Sequence, residues 1–156
     1  MPSPVNACGA CGYALLTALL FGCATHVRGL VEPTPTGARL TTVEGRSYRL
    51  ILTPQSAPIH SLDGHLVDAW GTRVFRTVRV GRWTVGEGLH GMPTWVGELV
   101  ALGDQLGVED VNSGVFYLLD DASAPALQAY AGEVVLLEGY VTGPHRVHVL
   151  YYRRLE

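Results

Sequence analysis

The chain has 156 residues, 47% hydrophobic and only 16% charged, with 19 glycines and a net charge of −3. That balance carries no overall nucleic-acid footprint, and the length suits one compact domain or two very small ones. All basic residues are arginine, which reads as a coding bias and carries no function. The cysteines, Cys8, Cys11 and Cys23, all precede the candidate domain and leave it nothing for a disulfide framework or a thiolate metal site, so no cofactor is expected.

The first element is an apolar run from Tyr13 to Phe21. It is shorter than the roughly 20 residues a spanning helix needs and fits the apolar region of a signal segment. It ends in Leu20-Phe21-Gly22-Cys23, which resembles the lipobox of bacterial lipoproteins. The resemblance implies a signal peptide over residues 1–22, cleavage before Cys23, and a diacylglyceryl group on its thiol. The partner is then a membrane, and the location the cell envelope. Ala24 stands where retained inner-membrane lipoproteins of many Gram-negative bacteria carry Asp. For a Gram-negative source this implies the periplasmic face of the outer membrane. No Lys or Arg precedes Arg28, so the basic start of such a segment is missing. Cys8-Gly9-Ala10-Cys11 has CxxC spacing but no second pair, and is expected to carry no function. Residues 23–37, with Glu32-Pro33-Thr34-Pro35-Thr36-Gly37, read as a lipid-anchored tether, because proline favours extended chain.

Beyond residue 37 the signals are β. Tyr48–Leu52, His65–Trp70, Val74–Val80, Val96–Leu102, Val115–Leu119, Glu133–Val141 and Val147–Tyr152 are rich in β-branched and aromatic residues and bounded by turn formers. Asn112-Ser113-Gly114 predicts a hairpin turn. Ala122–Ala131 predicts one short helix, capped by Ser123 or Asp121, with Leu127 and Tyr130 on one face. A shift of 68 residues pairs Tyr48 with Phe116, Leu50 with Leu118, Gly64 with Gly132 and Gly71 with Gly139; one further residue of slippage pairs Val78 with Val147 and Trp83 with Tyr152. The pattern reads as an internal repeat.

The expected fold class is therefore mainly β, in two units at 38–86 and 94–156. The second unit, from Gly97 through Gly132–Val141 to the closing strand after His145, resembles the small OB-fold barrels of bacterial exported proteins. The first would be an abbreviated copy. Units this small have marginal cores, so the expectation is tandem OB-like barrels packed together, or one merged barrel or sandwich.

Arg73, Arg76, Arg79 and Arg82 recur every third residue among Phe75 and Trp83. On one continuous strand, Arg73, Phe75, Arg79 and Trp83 share a face, the best site for an anionic ligand; otherwise the arginines are a solvated or internally paired strand face. Gly86-Glu-Gly-Leu-His-Gly91 matches GxGxxG but lacks the helix that dinucleotide binding needs, and reads as a loop between the copies. His60, Ser61, Asp63 and His65 surround an Asp-Gly turn without a nucleophile elbow; His145 and His148 fall on opposite strand faces. Neither set reads as a catalytic or metal site. Asp120-Asp121 reads as a helix cap. Arginines outnumber acids by eight to six between residues 24 and 100, and acids outnumber arginines by eight to three thereafter.

The function this supports is a non-enzymatic, membrane-tethered binding module of the cell envelope. Its ligand would be a protein partner, a glycan or an anionic head group, and nucleic acid is not expected. The alternative is a cytoplasmic OB-type protein that binds single-stranded nucleic acid, in which the N-terminal segment is structural.

Overall fold

The computed structural model describes residues 22–155. The signal segment expected over 1–22, Gly22 apart, and the Cys8–Cys11 motif lie outside the described residues. Five strands, β1 (Cys23–Thr34), β2 (Gly37–Thr41), β3 (Ser47–Ile51), β4 (Leu66–Val74) and β5 (Thr77–Val85), close a barrel in the order β1-β2-β3-β5-β4. Five more, β6 (Thr94–Leu102), β7 (Gln105–Asp110), β8 (Phe116–Leu119), β9 (Val134–Gly143) and β10 (Arg146–Arg154), repeat that order as β6-β7-β8-β10-β9. In each barrel the third and fifth strands run parallel and every other pair is antiparallel. A short helical segment joins the third strand to the fourth: a 3₁₀ segment at Pro54–Ser61, and α1 (Ala124–Leu127) with a 3₁₀ turn at Gln128–Tyr130. This is the OB arrangement, twice. The chain is mainly β and its two units are separate closed barrels.

The first barrel begins well before residue 38. The expected tether at 23–37 is instead β1 and the turn after it. Val27, Gly29 and Val31 point inward while His26, Arg28, Leu30 and Glu32 point outward, the period-two pattern of a half-buried strand. Pro33 is tolerated because it lies beside the turn, opposite Ala38, where the ladder ends. With β1 and β2 included, the first unit is a full barrel. Three strands, β1, β2 and β7, and the Pro54–Ser61 helical segment were not anticipated from the sequence.

The repeat extends through this correction. Val31 N–H donates to the His65 carbonyl and Leu99 N–H to Glu133, both at 3.0 Å. Gly86 N–H donates to Leu66 at 2.8 Å and Leu155 N–H to Val134 at 2.9 Å. In the third strands the register is one residue beyond the sequence expectation: Leu50, opposite Val78, matches Leu119, opposite Val147.

Both barrels turn their fourth and fifth strands at a β-bulge. The ladder slips between Trp70 and Gly71, and between Val149 and Tyr151 opposite Gly139. At this slip the strands approach closely. A Cβ on Gly71 would fall on the Arg79 carbonyl oxygen, and one on Gly139 on that of His148. Only glycine fits both sites.

The barrels pack on each other through residues whose parity points out of the second barrel. Trp95 and Leu137 fill its interior, whereas their neighbours Val96 and Leu136, paired across β6 and β9, are buried in the apolar cluster of the first barrel together with Leu155. Burial of such side chains contributes roughly 1.5–3 kcal/mol each, which answers the marginal size of each unit.

Gly71→Ala and Gly139→Ala are each expected to lower stability by about 2–3 kcal/mol through forced strand displacement. The measurement is urea unfolding, with an earlier midpoint at unchanged slope. A wild-type midpoint in either variant would show that the bulge yields freely.

Candidate functional site

Strand directions sort the loops of the first barrel between its two ends. The Pro54–Ser61 helical segment closes one end, packing on β1, β2 and β5. The other end carries the start of β1, the β2–β3 loop at residues 42–46 and the two-residue β4–β5 turn, Phe75-Arg76. These meet there: Cys23 pairs with Arg73, and Arg49 N–H donates to the Arg76 carbonyl at 2.8 Å. Two adjoining grooves of about 600 and 550 Å³ open at this end and share Arg46, Tyr48 and Arg73.

This end is the candidate site. Its loop tips carry apolar side chains with little cover: Val43 is 91% exposed and Phe75 86%. Phe75 also has φ of 53°, in the left-handed region. That conformation costs a non-glycine residue about 1–2 kcal/mol, and no apolar burial offsets it. Glu44 is the acid of the loop. Hydrogen bonds from the Thr42 hydroxyl and from its own backbone amide, and least of all the charge of Arg46, hold its carboxyl below the ordinary value of 4.5, against the opposing effect of burial. Among the described residues, neither Arg73 nor Arg76 forms an ion pair.

The four residues expected to share a face do not. The chain turns at Phe75, so β4 and β5 are two antiparallel strands rather than one. Arg73 lies opposite Val78, on the inward side at the open barrel end, while Arg79 lies opposite Thr72 on the outer flank. Trp83 is a correction of a different kind. It is 3% exposed, in the first core, with its indole N–H donating to the Gln55 carbonyl at 3.0 Å. The extra residue at the bulge, Gly81, shifts the alternation and sends Trp83 inward. Arg73 and Phe75 remain at the candidate site; Arg79 and Trp83 leave it.

Other polar clusters serve the fold. On the outer face of β4, Arg82 lies 5.1 Å from the centroid of the Trp70 ring, His26 stacks on that ring at 4.6 Å, and His26 bonds Asp68 at 2.6 Å. The glycine loop at 86–91 does hold an anionic group, but it is the chain's own. Leu89 and His90 N–H groups donate to the carboxylate of Glu138, which is 3% exposed, and His90 Nδ1 lies 3.0 Å from it. His60 and His65 do not converge. His65 is buried with Nδ1 at 3.2 Å from the Asp63 carbonyl, and His60 reaches the Thr34 carbonyl at 3.3 Å. Among the described residues no three His, Cys, Asp or Glu side chains are grouped to hold a metal.

Ser123 takes the N-cap position of α1 without a side-chain cap bond, and Asp120 uses its side chain on Ser123 instead of the helix amides. Its carboxylate accepts from Ser123 N–H at 2.9 Å and Ser123 Oγ at 2.6 Å, and lies 2.6 Å from His148 Nδ1. Ser123 Oγ in turn accepts from Val149 N–H at 2.9 Å. Although Ser, Asp and His meet here, the carboxylate stands between the other two, so the imidazole does not touch the serine and the order of a nucleophilic triad is absent. The cluster ties the α1 turn to β10. Compared with family models and with curated proteins, the chain gives no match.

Burial by itself raises the Asp120 carboxyl; hydrogen bonds from Ser123 and His148 together outweigh it and leave it below the ordinary 3.8. A depressed folded-state pKa contributes stability above the unfolded value, lost as pH falls through the folded one. Asp120→Asn is therefore expected to cost about 1 kcal/mol at neutral pH, the site being partly solvated. The gap to wild type should close in urea titrations below about pH 4. A gap independent of pH would rule out the carboxylate as its source.

Proposed function

We propose that this chain is a non-enzymatic binding module of the cell envelope, tethered to a membrane by a lipid on Cys23. The observation that carries the reading is the place of Cys23: exposed, at the first residue of β1, on the barrel end that presents apolar tips and arginines. A thiol there is open to modification without disturbing either core. The lipobox-like Leu20–Cys23 supplies the reason to expect a diacylglyceryl group on it. The sets of groups with catalytic types support the non-enzymatic reading, because each is spent on structure: Asp120 on β10, Glu138 on the inter-barrel loop, Asp68 on His26 and Arg28.

With residues 23–34 in a strand, no spacer separates the lipid from the barrel. The first unit would lie against the membrane and the second beyond it. In a Gram-negative source the location would be the periplasmic face of the outer membrane.

In cells, Cys23→Ser should abolish labelling by a fatty-acid analogue. Intact-mass analysis of the wild-type protein should show cleavage before Cys23 together with the added acyl mass. An unmodified, uncleaved mass would sink the reading.

A further inference from the structure

The candidate end of the first barrel combines two features with different physical roles. Val43 and Phe75 project from separate turns, and both are almost wholly exposed. Arg46 and Arg73 line both grooves, the one beside Val43 and the one beside Phe75, and Arg76 lines the second, with Glu44 as the acid of the same loops. Apolar tips beside cationic side chains suit a lipid surface, where acyl chains lie under phosphate groups. The tips gain nothing from the fold, since neither packs on a core cluster.

We propose that this end is a membrane-contact face, which seats Arg46, Arg73 and Arg76 among anionic phospholipid head groups while Val43 and Phe75 insert beneath them. The inference deepens the anchored reading of Cys23 and rests on it for the orientation of the chain. Two observations, and one consequence of the anchored reading, favour a membrane as the occupant. The chain before β1 enters at this end, because Cys23 is paired with Arg73. An acyl group on that thiol would leave beside the arginines, and without a spacer it would hold them within the roughly 8–10 Å over which surface charge is felt. The second barrel does not cover the face. It meets the first at the opposite end, where Pro54, Gln55 and Pro58 share a cavity with Glu98 and Asp110.

The test uses the full-length Cys23→Ser chain, so that no acyl group contributes. Because no Lys or Arg precedes Arg28, a preference for anionic lipid cannot arise in the N-terminal segment's side chains. Binding is measured by co-sedimentation with vesicles of phosphatidylcholine, alone or mixed with phosphatidylglycerol. Partitioning should favour the anionic vesicles and fall with salt. Each arginine exchanged for glutamine should cost roughly fivefold. Phe75→Asn, which suits the left-handed turn, should keep the folded-state circular dichroism spectrum and lower partitioning by about tenfold. In a Phe75→Trp variant, lipids brominated along the acyl chain should quench a fluorescence component that the parent chain lacks. Equal binding to both vesicle types, or an anionic preference that survives the triple arginine variant, overturns the proposal. So does salt-dependent binding of a single-stranded oligonucleotide lost in the same variants, which would assign the face to nucleic acid. Failure here leaves the lipid label at Cys23 intact in cells, whereas failure of the anchored reading removes that label and leaves vesicle binding unchanged.

Discussion

Each barrel depends on one strand changing partners along its length. β1 pairs with β4 from Cys23 to Leu30 and with β2 from Leu30 to Thr34, so Leu30 belongs to both ladders. β6 does the same between β9 and β7, with Gly97 and Glu98 shared. A strand that serves two neighbours must bend sharply, and the bend brings backbones close. Gly29 and Gly97 stand there, where a Cβ would collide with the Thr41 and Glu109 carbonyls. Closure removes exposed sheet edges and sets which face of every other strand looks inward.

The remaining geometry follows from that closure. With two small interiors filled separately, outward residues of the second barrel were left to join the units. Val96, Leu136 and Leu155 do so at the helix end of the first barrel. Glu138 adds a buried polar lock on the connecting loop. The opposite end, with Cys23 and the two turns, is thereby left open. The functional reading is a consequence of this polarity: one end is committed to packing, the other to the outside. The bias of charge, basic in the first unit and acidic in the second, runs along the same axis.

Much of this was legible in residue patterns. Strand composition located seven segments, and the glycine-spaced repeat announced two copies of one unit. Leu127 and Tyr130 lie on the buried side of the expected helix. Where reading failed, the cause was local chemistry that masked period. Pro33 and Pro35 mask the alternation of Val27, Gly29 and Val31 with a composition typical of extended linkers. In Gln105–Asp110, Gly107 interrupts the run, although its lack of a side chain is what admits the Phe116 ring.

What the sequence by itself determined is the class of fold, the repeat and the position of Cys23. These are carried by hydrophobic alternation, glycine spacing and a contiguous motif, all of which are local along the chain. Only the tertiary structure decided which residues share a surface. A two-residue turn at Phe75 reverses the chain, and one extra residue at Gly81 inverts the alternation after it. Those two events separate Arg73 from Arg79 and bury Trp83. They also bring Arg73 and Phe75 beside Val43 and Arg46, some thirty residues away, because barrel closure sets the neighbours of each strand and sequence distance does not.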